Sequence, residues 1–219
     1  MPLQRLWPGY GFDLDGTLID TAPDLHRALN HALAQHGHQP VEEAHTRQFI
    51  GHGALVMIER ALEHHEDASA DLDALLDCFL DYYSRNIAAH SRPYPGVEAA
   101  LEQLARRGAA LALITNKRKA FADQLVQEMG WVGRFEVVIG GDTAAQPKPA
   151  ADPLLLACEQ LELEPENFLY VGDSKTDAGA AKAAGCPLVL VADGYNEGLD
   201  PTSLGADAVI DHFMELVPA

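Results

Sequence analysis

Two aspartates separated by a single residue, Asp13 and Asp15, are the side chains of this sequence best suited to chemistry. They stand in the run Phe12-Asp13-Leu14-Asp15-Gly16-Thr17, where a glycine and a hydroxyl follow at once. Two carboxylates this close repel each other unless a cation or a shared proton offsets their charge. A divalent metal is such a cation, and Mg²⁺ prefers oxygen ligands of this kind. The run therefore predicts a metal-assisted site for phosphoryl transfer.

Further polar groups follow apolar runs later in the chain. Thr115-Asn116-Lys117 comes after the run that ends at Ile114, and Lys148-Pro149 comes shortly after the run that ends at Ile139. Gly172-Asp173-Ser174-Lys175-Thr176-Asp177 follows the run that ends at Val171. The carboxyl ends of parallel strands meet at one edge of a sheet, so we expect these groups to converge with Asp13. For Thr115 and Asp177 a helix cap is the alternative interpretation.

The second half of the chain alternates short apolar runs with helical patterns. The predicted strands are residues 110–114, 135–139, 168–171, 188–191 and 208–210. The intervening segments have apolar residues at the i, i+3, i+4, i+7 spacing of amphipathic helices. A first strand should precede Asp13, although residues 7–12 contain two glycines and a proline, which are poor strand formers. This alternation predicts an α/β fold with a Rossmann-like parallel sheet covered on both faces.

Residues 20–92 have a different pattern, because amphipathic helices follow one another there without a β-type run. The segment predicts a small helical bundle inserted between the first strand and the rest of the sheet. Its end lies near Arg92-Pro93-Tyr94-Pro95-Gly96, whose prolines suit a boundary. We therefore predict a core of residues 1–19 and 93–219 and a helical cap of residues 20–92. Because the cap begins directly after the Asp13 run, we expect it to lie over the site as a lid.

Composition narrows the classes of partner. The 219 residues carry a formal net charge of −18, which argues against nucleic acid and against an anionic membrane surface as partners. An anionic substrate would then need local positive charge at the site. The three cysteines, Cys78, Cys158 and Cys186, are widely spaced and favour a reducing, cytoplasmic location. Neither a signal peptide nor a transmembrane segment is expected from the sequence.

The ordered motifs resemble those of the haloacid dehalogenase-like hydrolases: Asp-x-Asp-Gly-Thr, a strand-terminal threonine, a lysine and Gly-Asp-x-x-x-Asp. The helical insertion is similar to the C1 cap of that superfamily. Four stretches resemble bacterial phosphoglycolate phosphatases: Phe49-Ile50-Gly51-His52-Gly53, Val138-Ile139-Gly140-Gly141-Asp142, Pro153-Leu154-Leu155-Leu156 and Gly194-Tyr195-Asn196. After the lysine, Lys148-Pro149-Ala150-Ala151 departs from the more common Lys-Pro-x-Pro.

The resemblance implies a Mg²⁺-dependent phosphatase. Asp13 would be the nucleophile and would form an aspartyl-phosphate, with Asp15 as general acid and then general base. Mg²⁺ would be held by Asp13, by the backbone carbonyl of Asp15 and by Asp173, with Asp177 in an outer position or bound through water. Thr115 and Lys148 would contact phosphoryl oxygens. Other residues expected at the bound substrate are Gly16, Thr17 and Asn116.

The expected substrate is a small phosphorylated metabolite of carbohydrate metabolism, with 2-phosphoglycolate the leading candidate. We expect Arg47 and the turn Gly51-His52-Gly53 to face the site, because a substrate carboxylate would need an arginine or backbone donors. A plain connection between helices is the alternative for that turn. Other functions compatible with the sequence are a sugar-phosphate or amino-sugar-phosphate phosphatase, a phosphomutase and a phospho-accepting signalling module. A dehalogenase is disfavoured, because it would have no use for Asp15.

Overall fold

A computed structural model of the chain describes residues 2–67 and 70–218. The parts of the predicted core and cap that fall on residues 1, 68–69 and 219 lie outside the described residues. The strands, in chain order, are β1 (Gly9–Phe12), β2 (Ile19–Asp20), β3 (Arg92–Pro93), β4 (Ala110–Ile114), β5 (Val137–Ile139), β6 (Phe168–Gly172), β7 (Leu188–Val191) and β8 (Ala208–Ile210). The helices are α1 (Ala22–Gln35), α2 (Glu43–Phe49), α3 (Ala54–His64), α4 (Leu72–Asn86), α5 (Val97–Arg106), α6 (Lys119–Glu128), α7 (Asp152–Gln160) and α8 (Lys175–Ala184).

Six parallel strands form the central sheet in the order β5-β4-β1-β6-β7-β8. The chain runs outward from β1 to β4 and β5 and then crosses to β6 on the other side of β1. Such a reversal leaves a crevice at the carboxyl ends of the strands on either side of it, where ligands bind in open α/β sheets. The predicted α/β fold with a Rossmann-like parallel sheet is confirmed.

Close packing explains why two positions of β1 are glycines. A Cβ at Gly9 would lie 2.9 Å from the Phe168 ring, and one at Gly11 would lie 2.6 Å from the same ring. Phe168 begins the neighbouring strand β6, whose register pairs it with Gly9. The strand forms in spite of its two glycines because it is hydrogen-bonded on both sides, to β4 and to β6. It begins at Gly9, directly after Pro8.

Helices cover both faces of the sheet. On one face Ile114, Ile139 and Tyr170 form a buried cluster with α7 and α8. On the other face Phe12, Leu113 and Val171 join a larger cluster that includes α5, α6 and the helices α1–α4. Apolar side chains on both faces of every central strand explain the unbroken apolar runs of the sequence. The core and the helical segment are therefore stabilised by one continuous apolar cluster.

The segment α1–α4 is bracketed by a two-stranded ribbon that the sequence analysis did not predict. Ile19 pairs with Pro93 and Asp20 pairs with Arg92, so the chain leaves and returns at one place. Nearby, the buried carboxylate of Asp24 accepts hydrogen bonds from the backbone of His90 and Ser91. Strands of two residues are too short to produce a periodic pattern, which is why the ribbon escaped prediction.

Two other elements differ from their predicted bounds. Strand β5 begins at Val137, two residues later than predicted, and Phe135 instead packs against Trp131 with the ring centroids 6.2 Å apart. With Asp177 as the helix cap, α8 would begin at residue 178; it begins instead at Lys175, because Ser174 caps it. Across residues 2–67 and 70–218, none of the helices has the length and apolar character needed to span a bilayer.

Candidate active site

The polar groups predicted at strand ends meet at one edge of the sheet. Asp13 follows β1 directly, Thr115 follows β4 and Asp173 follows β6, and these three strands are neighbours. Backbone hydrogen bonds extend the ladder into the site, since Asp13 N donates to Val171 O at 2.9 Å. The loop after β5 adds Lys148. All four side chains are buried.

Three carboxylates form the acidic centre of this site. Asp13, Asp173 and Asp177 each offer an oxygen within 4.8 Å of the others. Burial raises the pKa of Asp13 to about 7, with Lys148 opposing the increase and Asp177 adding to it. Burial, followed by the charges of Asp177 and Asp13, raises the pKa of Asp173 well above its ordinary value. The cluster therefore strongly favours a bound cation or a retained proton.

Lys148 is the cation that already faces this cluster. Its Nζ lies 2.9 Å from Asp13 Oδ1 and 2.7 Å from Asp177 Oδ1. It also donates to Ile114 O at 3.0 Å and to the Tyr170 hydroxyl at 2.8 Å. Burial alone would lower the pKa of Lys148, but the two aspartates outweigh burial and raise it. Lys148 is therefore a fully charged ammonium held beside Asp13.

Both carboxylate oxygens of Asp177 accept hydrogen bonds. Oδ1 accepts from Lys148 and from Tyr170, while Oδ2 accepts from Asp173 N, Ser174 N and Ser174 Oγ. Ser174 and Asp177 form a capping box at the start of α8. Burial would raise the pKa of Asp177, but Lys148 and these hydrogen bonds bring it below its ordinary value. The helix-capping role that the sequence analysis considered for Asp177 is thus present. The same carboxylate also orients Lys148.

Asp173 is held from two sides. The Thr17 hydroxyl donates to Oδ1 at 2.7 Å, and Tyr195 N donates to Oδ2. Gly16 and Gly194 pass close by: a Cβ would lie 2.5 Å from Asp173 Oδ2 at Gly16 and 2.1 Å from Asp173 Cβ at Gly194. Gly16 also has φ +84°, which disfavours other residues. Thr17 therefore contacts the acidic cluster directly rather than standing free for substrate.

Asp15 is bound by two side chains. Thr21 Oγ1 donates to Asp15 Oδ1 at 2.7 Å, and Lys117 Nζ lies 2.9 Å from the same oxygen. Lys117 stands in the Thr115-Asn116-Lys117 run, but sequence reasoning gave it no role. Tyr170 and Thr21 were missed as well. A lysine directly after a strand-terminal Thr-Asn is a usable signal, whereas nothing in the sequence distinguishes Tyr170 from any other strand residue.

A cavity of about 280 Å³ opens beside Asp13 and Asp15. The predicted turn Gly51-His52-Gly53 lines it, together with Thr115 and Asn116. Asn116 Nδ2 donates to Gly51 O and to Lys148 O, each at 2.9 Å, so it ties the turn to the lysine loop. The helices contribute an apolar wall, whose residues are Leu25, Ile50, Leu55, Met57, Leu76, Phe79, Leu80, Tyr83 and Phe121.

Arg47 lies outside the wall of that cavity. Its guanidinium makes two contacts of 3.0 Å with the carboxylate of Asp20 and one of 2.9 Å with Glu43. Asp20 also accepts from the Tyr195 hydroxyl, which itself accepts from Ala22 N. The structure therefore brings Gly51, His52, Gly53 and Asn116 to the candidate site but places Arg47 at the ribbon where the helical segment joins the sheet.

The donor set at the acidic cluster suits a hard divalent cation. Asp13 Oδ1 is buried and makes no hydrogen bond of good geometry in the described part of the chain; its contact is the ion pair with Lys148. The available oxygens are carboxylates, which Mg²⁺, Ca²⁺ and Mn²⁺ accept and softer metals do not prefer. Asp13 and Asp173 can therefore share one divalent metal.

Known proteins match this chain over more than nine tenths of its length. A phosphoglycolate phosphatase of Yersinia pseudotuberculosis is 42% identical over 216 residues, which cover 96% of this chain and 92% of that protein. An N-acetylmuramic acid 6-phosphate phosphatase of Pseudomonas aeruginosa is 37% identical over 207 residues, covering 94% and 91%. The crystal structure of a predicted phosphoglycolate phosphatase from Haemophilus somnus superimposes with a TM-score of 0.93 at 32% identity, covering 97% of each chain.

The family model described as haloacid dehalogenase-like hydrolase matches residues 11–191. That range includes every strand end that contributes to the site, from Asp13 to Asp177. Because the match covers most of the chain, and because relatives of 37–42% identity cover more than nine tenths of it, this protein belongs to the haloacid dehalogenase-like hydrolase family.

Proposed function

We propose that this chain is a Mg²⁺-dependent phosphatase that hydrolyses a small phosphate monoester through an aspartyl-phosphate on Asp13. The observation that carries the proposal is the burial of Asp13 between Asp173 and Lys148 at one edge of the sheet. A carboxylate nucleophile divides a difficult hydrolysis into two easier steps. An ammonium beside it can stabilise the charge of the transferring phosphoryl group.

In the first step the Asp13 carboxylate attacks phosphorus, and Asp15 gives a proton to the leaving ester oxygen. In the second step Asp15 takes a proton from the water that hydrolyses the aspartyl-phosphate. Lys148 and Thr115 bind phosphoryl oxygens during both steps. Mg²⁺ held by Asp13, Asp173 and the backbone carbonyl of Asp15 would neutralise charge on the phosphoryl group.

Asp177 acts as a positioning residue in this proposal. Both of its oxygens are already engaged, and its strongest partner is the Lys148 ammonium at 2.7 Å. A carboxylate with that set of donors orients the lysine and fixes the loop after β6. We therefore assign Asp177 to the outer layer of the metal site.

Residues 20–92 are proposed as the cap over this site, with the core formed by residues 1–19 and 93–219. Three observations support the division: the ribbon at Ile19–Asp20 and Arg92–Pro93, the apolar wall that the helices give the cavity, and the turn Gly51-His52-Gly53 beside Asp13. A lid over the reacting groups excludes water from the aspartyl-phosphate until the alcohol leaves.

The proposed substrate is 2-phosphoglycolate, because relatives at about 40% identity carry the name phosphoglycolate phosphatase. A second candidate is an amino-sugar phosphate, favoured by the Pseudomonas relative and by the size of the cavity. The test is phosphate release by purified protein from 2-phosphoglycolate, N-acetylmuramic acid 6-phosphate and p-nitrophenyl phosphate.

Release should require Mg²⁺, stop with a chelator and be abolished by Asp13→Asn. The control Asp73→Asn alters an exposed acid in the first turn of α4 and should leave release unchanged. Labelling of Asp13 without turnover would favour a signalling module instead, and formation of an isomerised phosphate ester would favour a phosphomutase.

A further inference from the structure

Lys117 places a second ammonium in the wall of the cavity, apart from Lys148. Its side chain is 6% exposed, and Nζ lies 2.9 Å from Asp15 Oδ1 and 5.0 Å from the centroid of the Tyr83 ring. Burial by itself would lower the pKa of Lys117, but the charge of Asp15 outweighs burial and raises it. An ammonium has three donors, and Asp15 Oδ1 uses one of them. The roles proposed above leave this buried charge without a function.

Tyr83 lies next to Lys117 and contributes a buried hydroxyl to the same site. The residue belongs to α4, is 1% exposed and lines the same cavity. Within the described residues its hydroxyl makes no hydrogen bond of good geometry, although Lys117 is close. Burial raises the pKa of Tyr83 to about 12, so the hydroxyl keeps its proton. An unpaired buried hydroxyl is costly, and a hydrogen-bond acceptor brought by a ligand would satisfy it.

The position of these two donors relative to Asp15 defines the ligand group. As the proton donor, Asp15 would stand about 2.8 Å from the ester oxygen of the substrate. In an ester of the form O–CH₂–COO⁻, the carboxylate oxygens are about 3 Å from that ester oxygen. Lys117 Nζ is 2.9 Å from Asp15 Oδ1. A carboxylate on the ester carbon therefore comes within reach of the Lys117 ammonium.

We propose that Lys117 and Tyr83 bind a carboxylate on the carbon that bears the phosphate ester, and so select phosphate esters of 2-hydroxy acids. This inference rests on the proposed phosphatase function. Other basic side chains near the site are less suited: His52 is paired with Glu197 at 3.0 Å, and Arg118 is exposed. Since Lys117 comes from the core and Tyr83 from the helical segment, the carboxylate would also draw the two together.

The experiment compares 2-phosphoglycolate with ethyl phosphate, which has a methyl group where the first ester has a carboxylate. Both are assayed with the wild type, Tyr83→Phe, Lys117→Met and Lys117→Arg. The control is Arg118→Met, which removes the charge of the exposed neighbouring residue. Tyr83→Phe removes only a hydroxyl that makes no hydrogen bond of good geometry within the described residues, so the variant should fold normally. It should lower kcat/KM for 2-phosphoglycolate about tenfold, mainly through KM, and leave ethyl phosphate within about twofold.

Lys117→Met should lower the activity on both esters, because Lys117 also contacts Asp15. The activity on 2-phosphoglycolate should fall about tenfold further than the activity on ethyl phosphate. Lys117→Arg should restore part of the preference, and Arg118→Met should leave the ratio of the two activities unchanged. Hydrolysis of both esters by the wild type with equal kcat/KM would overturn the inference and leave the phosphatase assignment intact. Equal losses on both esters in Tyr83→Phe would do the same. Failure to hydrolyse either ester would overturn the proposed function, and the inference with it.

Discussion

Replacement of Lys148 by methionine tests how the charge at the site is balanced. The substitution keeps an unbranched side chain that is one atom shorter and removes the ammonium that lies 2.9 Å from Asp13 and 2.7 Å from Asp177. Removing one partner of a buried ion pair costs about 3–5 kcal/mol of stability. In the metal-free protein the pKa of Asp13, about 7, should rise further, which disfavours the ionised form that the proposed nucleophile needs. We expect phosphate release at pH 7 to fall by about 10³-fold or more.

Tyr170→Phe is the matched control for this substitution. Lys148 Nζ has four oxygen atoms around it, from Ile114, Tyr170, Asp177 and Asp13, for only three protons. Loss of the Tyr170 hydroxyl leaves the hydrogen bonds to Ile114 O and Asp177 Oδ1 and the ion pair with Asp13, so the ammonium keeps three oxygen neighbours. We expect a loss of about 1 kcal/mol in stability and less than about a fivefold loss in activity.

Urea unfolding and phosphate release from p-nitrophenyl phosphate measure the two effects separately. Activity of Lys148→Met should recover in part at higher pH, as Asp13 ionises. The reasoning is refuted if Lys148→Met keeps activity within tenfold of the wild type. It is also refuted if Tyr170→Phe is as damaging as Lys148→Met.

Three further outcomes are expected. Because the pKa of Asp13 is about 7 in the folded protein and 3.8 in the reference state, the metal-free folded protein holds a proton that the unfolded chain releases. That stabilisation is complete below pH 3.8 and is lost as pH rises through about 7, at up to about 1.4 kcal/mol per pH unit. Urea unfolding in the presence of a chelator should show this dependence of the free energy of unfolding on pH in the wild type and its absence in Asp13→Asn. Asp24→Asn should lower the free energy of unfolding by about 2–3 kcal/mol, since its amide would face the backbone donors of His90 and Ser91. Gly194→Ala should raise the Mg²⁺ concentration needed for half-maximal activity about tenfold, because its Cβ would displace Asp173; an unchanged metal titration would contradict this.

Much of the sheet was predictable from local pattern. Three strands, Ala110–Ile114, Leu188–Val191 and Ala208–Ile210, have the bounds predicted from their apolar runs. A strand buried on both faces must be apolar throughout, so its signal lies within its own few residues. The strand before Asp13 was harder to place, because its glycines are explained only by the Phe168 ring of the neighbouring strand.

The candidate site was predictable where a motif sits at a strand end. Asp13, Asp173 and Lys148 were chosen for that reason, and the structure brings them together. The roles assigned to them, and the division into core and cap, stay predictions until tested. Arg47 was chosen for its chemistry alone, and it binds Asp20 instead of facing the cavity.

The sequence by itself determined the succession of the sheet strands and helices along the chain and the acidic groups at the strand ends, because both depend on residues close together along the chain. Only the tertiary structure decided that Tyr170 would meet Lys148, that Lys117 would bind Asp15, and that Tyr83 would lie beside Lys117. These contacts join residues from separate elements, and their distances depend on how helices pack on the sheet. Packing of that kind leaves no periodic trace in the sequence.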